Sequence, residues 1–133
     1  MRRFLLDTNA FLLLGFGLGR VSAAAQDAVA GGERFVSHVS AIEIAIKHSI
    51  GKLALPPIYE LGFQHGFAET VRQLAGVMLP IGLSHVAALD TLPLHHRDPF
   101  DRLLIVQAVA EDLTIVTSDR RFRLYPGLDL LEF

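Results

Sequence analysis

Short apolar segments that alternate with helical patterns constrain the fold of this chain more than any other feature of its sequence. Five segments have the composition of buried strands: residues 4–6, 35–37, 78–81, 114–117 and, at a predicted edge, 128–131. Helical patterns lie between them, at residues 9–14, 21–30, 40–50, 59–76, 84–91 and 99–112. Apolar strands separated by helices are typical of a parallel sheet covered by helices on both faces. The sequence therefore predicts an α/β fold with a central parallel sheet.

The length and composition of the chain fit one folded domain over residues 1–133. Hydrophobic residues make up 51% of the chain and charged residues 20%, which excludes a disordered protein. The net charge of −2 does not by itself indicate a nucleic-acid binder. The absence of cysteine excludes disulfides, thiolate catalysis and cysteine zinc sites, and it is compatible with the cytosol.

The first thirty residues imitate a signal peptide, with two arginines, a leucine-rich stretch and three alanines at 23–25. However, Asp7 and Asn9 interrupt the apolar stretch, and the uninterrupted residues 10–19 are too few to cross a bilayer, which takes about 20 residues. We therefore expect residues 1–30 to belong to the fold and the protein to be cytoplasmic, without a membrane span.

Several acidic residues stand at the ends of apolar elements. Asp7 ends the first predicted strand, Asp119 follows the fourth, and Asp101 lies in the first turn of a helix that is apolar almost all round. In such folds, ligands bind beyond the carboxyl ends of the strands, so we expect Asp7 and Asp119 to lie close together. Buried acids need a cation or a helix cap, and a group of them would suit a divalent metal ion.

Each acid also has a structural explanation. Asp7 or Thr8 could cap the following helix, and Asp119 could cap a short helix beside neutralising arginines. Glu43 fits a capping box with Ser40, and it also forms an i,i+4 pair with Lys47.

Three residues that precede Asp101, namely Asp98, His95 and His96, are expected to be structural. Asp98 precedes Pro99 and has the position of a helix cap with proline at the first helical residue. His95 and His96 are adjacent and cannot share a helix face as zinc ligands do, so we expect a solvated turn there.

Four sequence blocks, taken together, resemble the PIN-domain family, and in particular its VapC-like bacterial members. The blocks occur in the family's order and cover essentially the whole chain: Leu5-Leu-Asp-Thr-Asn-Ala-Phe-Leu12, Val39-Ser-Ala-Ile-Glu-Ile-Ala-Ile-Lys-His-Ser-Ile-Gly-Lys-Leu53, His95-His-Arg-Asp-Pro-Phe-Asp-Arg-Leu-Leu104 and Thr117-Ser-Asp119. The third block is the most specific. Ile42 departs from the subgroup, which usually carries tryptophan there, as does Asn9, where histidine is frequent.

The resemblance implies a three-layer α/β/α sandwich and a metal-dependent endoribonuclease, typically the toxin of a toxin–antitoxin pair. It assigns the family's four catalytic and metal-binding acids to Asp7, Glu43, Asp101 and Asp119. The third acid is Asp101 and not Asp98, because the family's acid directly precedes Arg-Leu-Leu. Asn9 and Thr117 are the expected supporting residues.

The resemblance further implies one or two Mg²⁺ or Mn²⁺ ions, an RNA substrate, a small VapB-like antitoxin and a homodimer. Lys47, Arg102, Arg120 and Arg121 are candidates for holding the RNA backbone, although each could simply neutralise nearby acids. The alternative is a catalytically weak PIN-fold module that binds RNA or protein. A phosphohydrolase with Asp7 as its nucleophile, and a receiver-type phospho-acceptor domain, rank below both; the former needs a second aspartate where this chain has Asn9.

Overall fold

A single five-stranded parallel sheet organises the protein. The computed structural model describes all residues from Met1 to Phe133. The strands are β1 (Arg3–Leu6), β2 (Glu33–Ser37), β3 (Gly76–Leu79), β4 (Thr114–Thr117) and β5 (Leu130–Glu132). They lie in the order β3-β2-β1-β4-β5, and every neighbouring pair is parallel. The predicted central parallel sheet is confirmed.

Six α-helices and two 3₁₀ helices connect the strands. The α-helices are α1 (Thr8–Gly15), α2 (Ala23–Ala30), α3 (His38–Ser49), α4 (Phe63–Gln73), α5 (Leu83–Thr91) and α6 (Pro99–Glu111). The 3₁₀ helices cover Pro57–Leu61 and Arg120–Leu124. None of the helices has the length and apolar character needed to cross a membrane.

Two apolar layers cover the two faces of the sheet, and the alternation of side chains along β1 separates them. Phe4 and Leu6 are fully buried in one layer, which includes Phe11 of α1 and Phe67 of α4. Leu5 points to the other face and joins a second layer. Successive strand residues face opposite sides of a sheet, so this pattern is what a strand covered on both faces requires. The predicted three-layer α/β/α sandwich is therefore confirmed.

The third helix begins earlier than its sequence pattern indicates. It starts at His38, and the Ser37 side chain caps it by accepting a hydrogen bond from the Val39 backbone N–H at 3.0 Å. Ser40 is fully buried inside the helix, and its hydroxyl lies 3.0 Å from that of Thr8. The capping box predicted for Ser40 and Glu43 is therefore wrong. Glu43 lies in the second turn and is free of any capping role.

The helix predicted over residues 59–76 is interrupted by a glycine. Gly62 has a φ of 112°, a value that side-chain-bearing residues rarely adopt, and it separates a 3₁₀ turn from α4. Gly66 then allows α4 to lie directly against Tyr59, because a Cβ at this position would be 2.4 Å from the tyrosine ring. The two glycines thus let the segment fold back on itself and complete the core beside α1.

Candidate metal-binding site

One polar pocket of about 280 Å³ gathers the four acids that the sequence singles out. It includes residues that follow the carboxyl ends of β1 and β4, together with residues of α1, α3 and α6. Ten residues line it: Asp7, Thr8, Asn9, Leu12, Glu43, Lys47, Asp98, Asp101, Ser118 and Asp119. Five of these ten are acids, and Leu12 is the only apolar one. Such a surface suits a cation or a cation-bridged anion.

Asp7 caps a helix and also lines the pocket. Its Oδ1 accepts a hydrogen bond from the Ala10 backbone N–H at 2.8 Å, so Asp7, and not Thr8, caps α1. It also lines the pocket and is only 4% exposed. Burial raises the pKa of Asp7 to about 6, against hydrogen bonds from the Thr117 side chain and the Ala10 backbone that lower it. The charges of Asp119 and Glu43 raise this pKa further.

Asp101 is the second acid with a raised pKa. It lies in the first turn of α6, and burial raises its pKa to about 7. The negative charges of Asp98 and Asp7 act in the same direction, as do those of the other two acids. Repulsion between carboxylates raises their pKa values unless a cation intervenes. The inner part of the pocket therefore lacks positive charge.

The other two acids are neutralised by cations of the chain itself. Glu43 is 6% exposed, and its Oε2 lies 2.6 Å from Lys47 Nζ, in the predicted i,i+4 pair. Asp119 accepts hydrogen bonds from the Arg121 backbone N–H at 2.9 Å and from its guanidinium. The hydrogen bonds from the Arg121 side chain lower the pKa of Asp119. Asp119 is also the cap of the 3₁₀ helix that follows β4, as the sequence allowed.

The carboxylates that line the pocket are ligands of the kind that hard divalent cations such as Mg²⁺ and Mn²⁺ prefer. The pKa values of the buried Asp7 and of the partly buried Asp101 are raised. As the side chains stand, no three acidic or histidine residues are grouped so that they could share an ion. An incoming ion would therefore compete with Lys47 and Arg121 for Glu43 and Asp119.

The remaining predicted residues occupy different positions around the pocket. Asn9 donates from Nδ2 to the Ser118 hydroxyl at 3.3 Å, and the buried Thr117 hydroxyl accepts from the Asp119 backbone N–H at 3.0 Å. Arg120 is exposed next to Asp119. Arg102 does not line the pocket, because its guanidinium donates to the carbonyl oxygens of Leu92 and Pro93.

Asp98 is the cap of α6, as its sequence position indicates. Its Oδ1 accepts hydrogen bonds from the backbone N–H groups of Phe100 and Asp101, at 2.9 and 3.1 Å. It also lines the pocket, so its charge contributes to the raised pKa of Asp101.

Sequence reasoning missed His96. We expected a solvated turn there, but His96 is 6% exposed, and its Nε2 lies 3.5 Å from Asp101 Oδ2. The expectation is wrong because Tyr125, 29 positions away, covers the ring and lies 2.7 Å from its Nδ1. The only local signal was the position of this histidine two residues before the cap of α6.

The fold and the pocket together define a class: α/β/α domains with a carboxylate site beyond the carboxyl ends of a parallel sheet. The family model of the PIN domain matches residues 4–128, and the chain belongs to this family. No curated protein matches the sequence significantly.

Solved structures with the same fold include three that are described as VapBC2, VapBC and FitAcB. VapBC2 from Rickettsia felis, bound to a promoter DNA fragment, has 15% identity over 98% of both chains and a TM-score of 0.70. DNA-bound VapBC from Salmonella typhimurium has 15% identity over 99% of this chain and 98% of that chain, with a TM-score of 0.67. FitAcB from Neisseria gonorrhoeae has 18% identity over 97% and 96%, with a TM-score of 0.59. At such identities, the similarity concerns the fold.

Proposed function

We propose that the protein is a metal-dependent endoribonuclease, acting in the cytoplasm as the toxin component of a toxin–antitoxin pair. The observation that carries the proposal is the convergence of Asp7, Glu43, Asp101 and Asp119 on one pocket. These four positions are the ones that the resemblance to PIN domains assigns to the metal site. Membership of the PIN domain family supports a nuclease, and the named complexes with the same fold support the toxin–antitoxin setting.

One or two Mg²⁺ or Mn²⁺ ions, held by the four carboxylates, would activate water and offset charge on an RNA phosphodiester. Asp7 and Asp101, whose pKa values are raised to about 6 and about 7, ionise more readily once a cation is near. Lys47 and Arg121 exchange their carboxylate partners for phosphate groups of the substrate. The exposed Arg120 adds a third positive charge beside Lys47 and Arg121 for contact with the substrate backbone.

The chain offers no well-placed nucleophile, so we expect no covalent intermediate. The Thr8 hydroxyl in the pocket is paired with that of Ser40, and Ser118 accepts from Asn9. Neither hydroxyl has a histidine or carboxylate partner that could act as a base. Asp7 is held by its capping bond and is 4% exposed, which disfavours the phosphohydrolase alternative.

Protein partners form part of the proposal. The structures of similar fold are described as VapBC and FitAB assemblies, which supports a small antitoxin as the partner of this chain. Exposed isoleucines lie at positions 42 and 46 of α3 and at its C-cap, Ile50. A second pocket of about 630 Å³, near Ile42, Phe63 and Met78, is largely apolar. An antitoxin and a homodimer both require apolar surface of this kind.

A non-catalytic binding module is the second candidate. The observation that favours it is that two of the four acids are already paired with Lys47 and Arg121, and that no three acids are grouped around one point. Such a module would bind RNA or protein without metal and leave RNA intact.

The test is cleavage of a pooled RNA by the purified, antitoxin-free protein in Mg²⁺, in Mn²⁺ and in EDTA. We expect cleavage with metal, none with EDTA, and none with Asp101→Asn. Asp90→Asn, an exposed acid of α5 outside the pocket, is the matched control and should cleave like the wild type. Retention of RNA by the folded protein in EDTA, with no cleavage under any metal condition, would support the binding module.

A further inference from the structure

A buried series of polar groups connects Tyr125, His96 and Asp101 beside the pocket. His96 is 6% exposed, and its Nδ1 lies 2.7 Å from the Tyr125 hydroxyl. Its Nε2 has no hydrogen-bond partner and lies 3.5 Å from Asp101 Oδ2. Buried polar nitrogens are almost always hydrogen-bonded, so an unpartnered one directed at a carboxylate of the site requires an explanation.

The contacts of Tyr125 favour one direction for its hydrogen bond with His96. Arg102 Nη1 lies 3.5 Å from the Tyr125 hydroxyl oxygen, and arginine can only donate. The tyrosine oxygen therefore accepts on the Arg102 side, and its own proton is available for His96 Nδ1. When Nδ1 accepts, the single proton of a neutral imidazole is on Nε2, which faces Asp101.

The position of Nε2 fits a hydrogen-bond donor. It has no other hydrogen-bond partner, and it lies 3.5 Å from Asp101 Oδ2. A neutral ring with its proton on Nε2 can donate one hydrogen bond to an ionised carboxylate.

We propose that His96 is a positioning residue: its Nε2–H donates to Asp101 and holds the ionised carboxylate in one orientation for a divalent cation. This inference rests on the proposed function, because it takes Asp101 as a ligand. Groups that orient a metal ligand commonly change metal affinity by about 10–100-fold when removed. The neighbouring Asp98 cannot serve as this partner, because an ionised carboxylate only accepts hydrogen bonds and its Oδ1 already caps α6.

A space-filling role is the simpler explanation of His96. Its ring packs near Phe122, with centroids 5.8 Å apart, and near Tyr125, with centroids 5.5 Å apart. If packing were its only role, the side chain at position 96 would need the right volume but no donor. The two explanations therefore differ in the tautomer of His96 and in which substitutions preserve metal binding.

The first measurement is the tautomer, by ¹⁵N NMR of labelled wild-type protein at about pH 8.5, with and without Mg²⁺. We expect the proton on Nε2, and we expect Mg²⁺ to shift the His96 resonances. In Tyr125→Phe, Nδ1 loses its donor, so the Nε2–H form should be less populated. A proton fixed on Nδ1, or His96 resonances that do not respond to bound Mg²⁺, would overturn the positioning role.

The second measurement is Mn²⁺ affinity by calorimetry. We expect His96→Leu to lose about tenfold or more in affinity. His96→Gln, which retains an N–H donor, should recover most of that loss. The matched control is His95→Gln: His95 is exposed and packs against the same Tyr125 ring, at a centroid distance of 4.8 Å, yet it is not paired with Asp101. Thermal unfolding of each variant excludes loss of the fold as the cause.

The outcomes separate the two proposals. Equal losses in His96→Gln and His96→Leu, in a wild type that binds Mn²⁺ and cleaves RNA, overturn the positioning role and leave the nuclease in place. A wild type that binds neither Mn²⁺ nor Mg²⁺ overturns the nuclease, and the positioning role with it.

Discussion

The Arg121 guanidinium donates hydrogen bonds to both carboxylate oxygens of Asp119. Its Nη2 lies 2.6 Å from Oδ2, and its Nε lies 3.1 Å from each oxygen. Both oxygens of this acid are thereby engaged, beside a pocket whose only cationic lining residue is Lys47. The arginine side chain is 55% exposed, so the pair is held in a high dielectric, where an ion pair contributes little to stability. A divalent ion can displace it at small cost.

We therefore expect Arg121→Gln to increase the affinity for Mn²⁺, because the ion no longer competes with a guanidinium for Asp119. The matched control is Arg123→Gln, which removes a similar exposed pair, with Glu132, outside the pocket. Calorimetric titration with Mn²⁺ measures the difference. Unchanged or weaker affinity in Arg121→Gln, beside an unchanged control, would show that the guanidinium does not compete with the ion.

Asp7→Asn should abolish cleavage while leaving the metal-free protein at least as stable as the wild type. Asparagine caps a helix about as well as aspartate, so the bond to the Ala10 backbone N–H survives, and a buried charge is removed. Asp7→Ala should instead cost about 1 kcal/mol, because α1 loses its cap. Urea unfolding in EDTA and the RNA cleavage assay test the two variants. Normal cleavage by Asp7→Asn would place the chemistry elsewhere.

The stability of the metal-free protein should decrease as the pH rises from about 4 to about 7. The pKa values of Asp7 and Asp101 are raised from 3.8 to about 6 and about 7, so over this range the folded state binds more protons than the unfolded state. One pKa unit corresponds to about 1.4 kcal/mol, which gives a loss on the order of a few kcal/mol. The free energy of unfolding in EDTA, measured at several pH values, gives the slope.

The control for this pH dependence is the double variant Asp7→Asn/Asp101→Asn, which is compared with the wild type. His96, whose pKa is lowered by burial, contributes a slope of opposite sign, and this slope is present in both proteins. The difference between wild type and double variant therefore isolates the two acids. If the difference does not change with pH, the two carboxyl groups are not held protonated by the fold.

Substitutions should distinguish the structural role of Asp98 from the catalytic role proposed for Asp101. Asp98→Ala should destabilise the protein by about 1 kcal/mol, since the N–H groups of Phe100 and Asp101 lose their acceptor. Asp98→Asn keeps the cap, so it should retain stability and cleavage, whereas Asp101→Asn should retain stability and lose cleavage. Thermal unfolding and the cleavage assay report the two properties independently. Loss of cleavage in Asp98→Asn at normal stability would assign Asp98 to the metal site as well.

Local sequence signals were sufficient for the five strands of the parallel sheet and for the start of α6, although β3 begins at Gly76, two residues before the predicted 78–81. Asp98 and Pro99 specify that start because a capping side chain and a proline that needs no N–H partner stand side by side. The start of α3 could not be predicted in the same way, since Ser37 and Ser40 are both good caps. The choice is made by tertiary structure: β2 remains paired with β3 as far as Ser37, opposite Leu79, and the helix follows at once.

The acids of the candidate site could be predicted, and so could the nearby partners Lys47 and Arg121, whereas partners distant in sequence could not. The positions of Asp7 and Asp119 at strand ends follow from the parallel sheet, and the pocket includes both. The burial of His96 depends on Tyr125, which follows β4 and is distant in sequence, so no local pattern encodes it. Likewise, the binding of Arg102 to loop carbonyls, and not to the pocket, depends on the path of residues 92–93.

The strand order has a consequence that does not depend on the acids. The chain moves outward from β1 through β2 to β3, then returns to the other side of β1 for β4 and β5. The connections that follow β1 and β4 therefore diverge, and a crevice opens between them at this reversal, whatever side chains line it. Replacing these four carboxylates by amides would leave the hollow in place with most of its negative charge removed. The backbone creates the cavity, and the acids determine only which ligands it can hold.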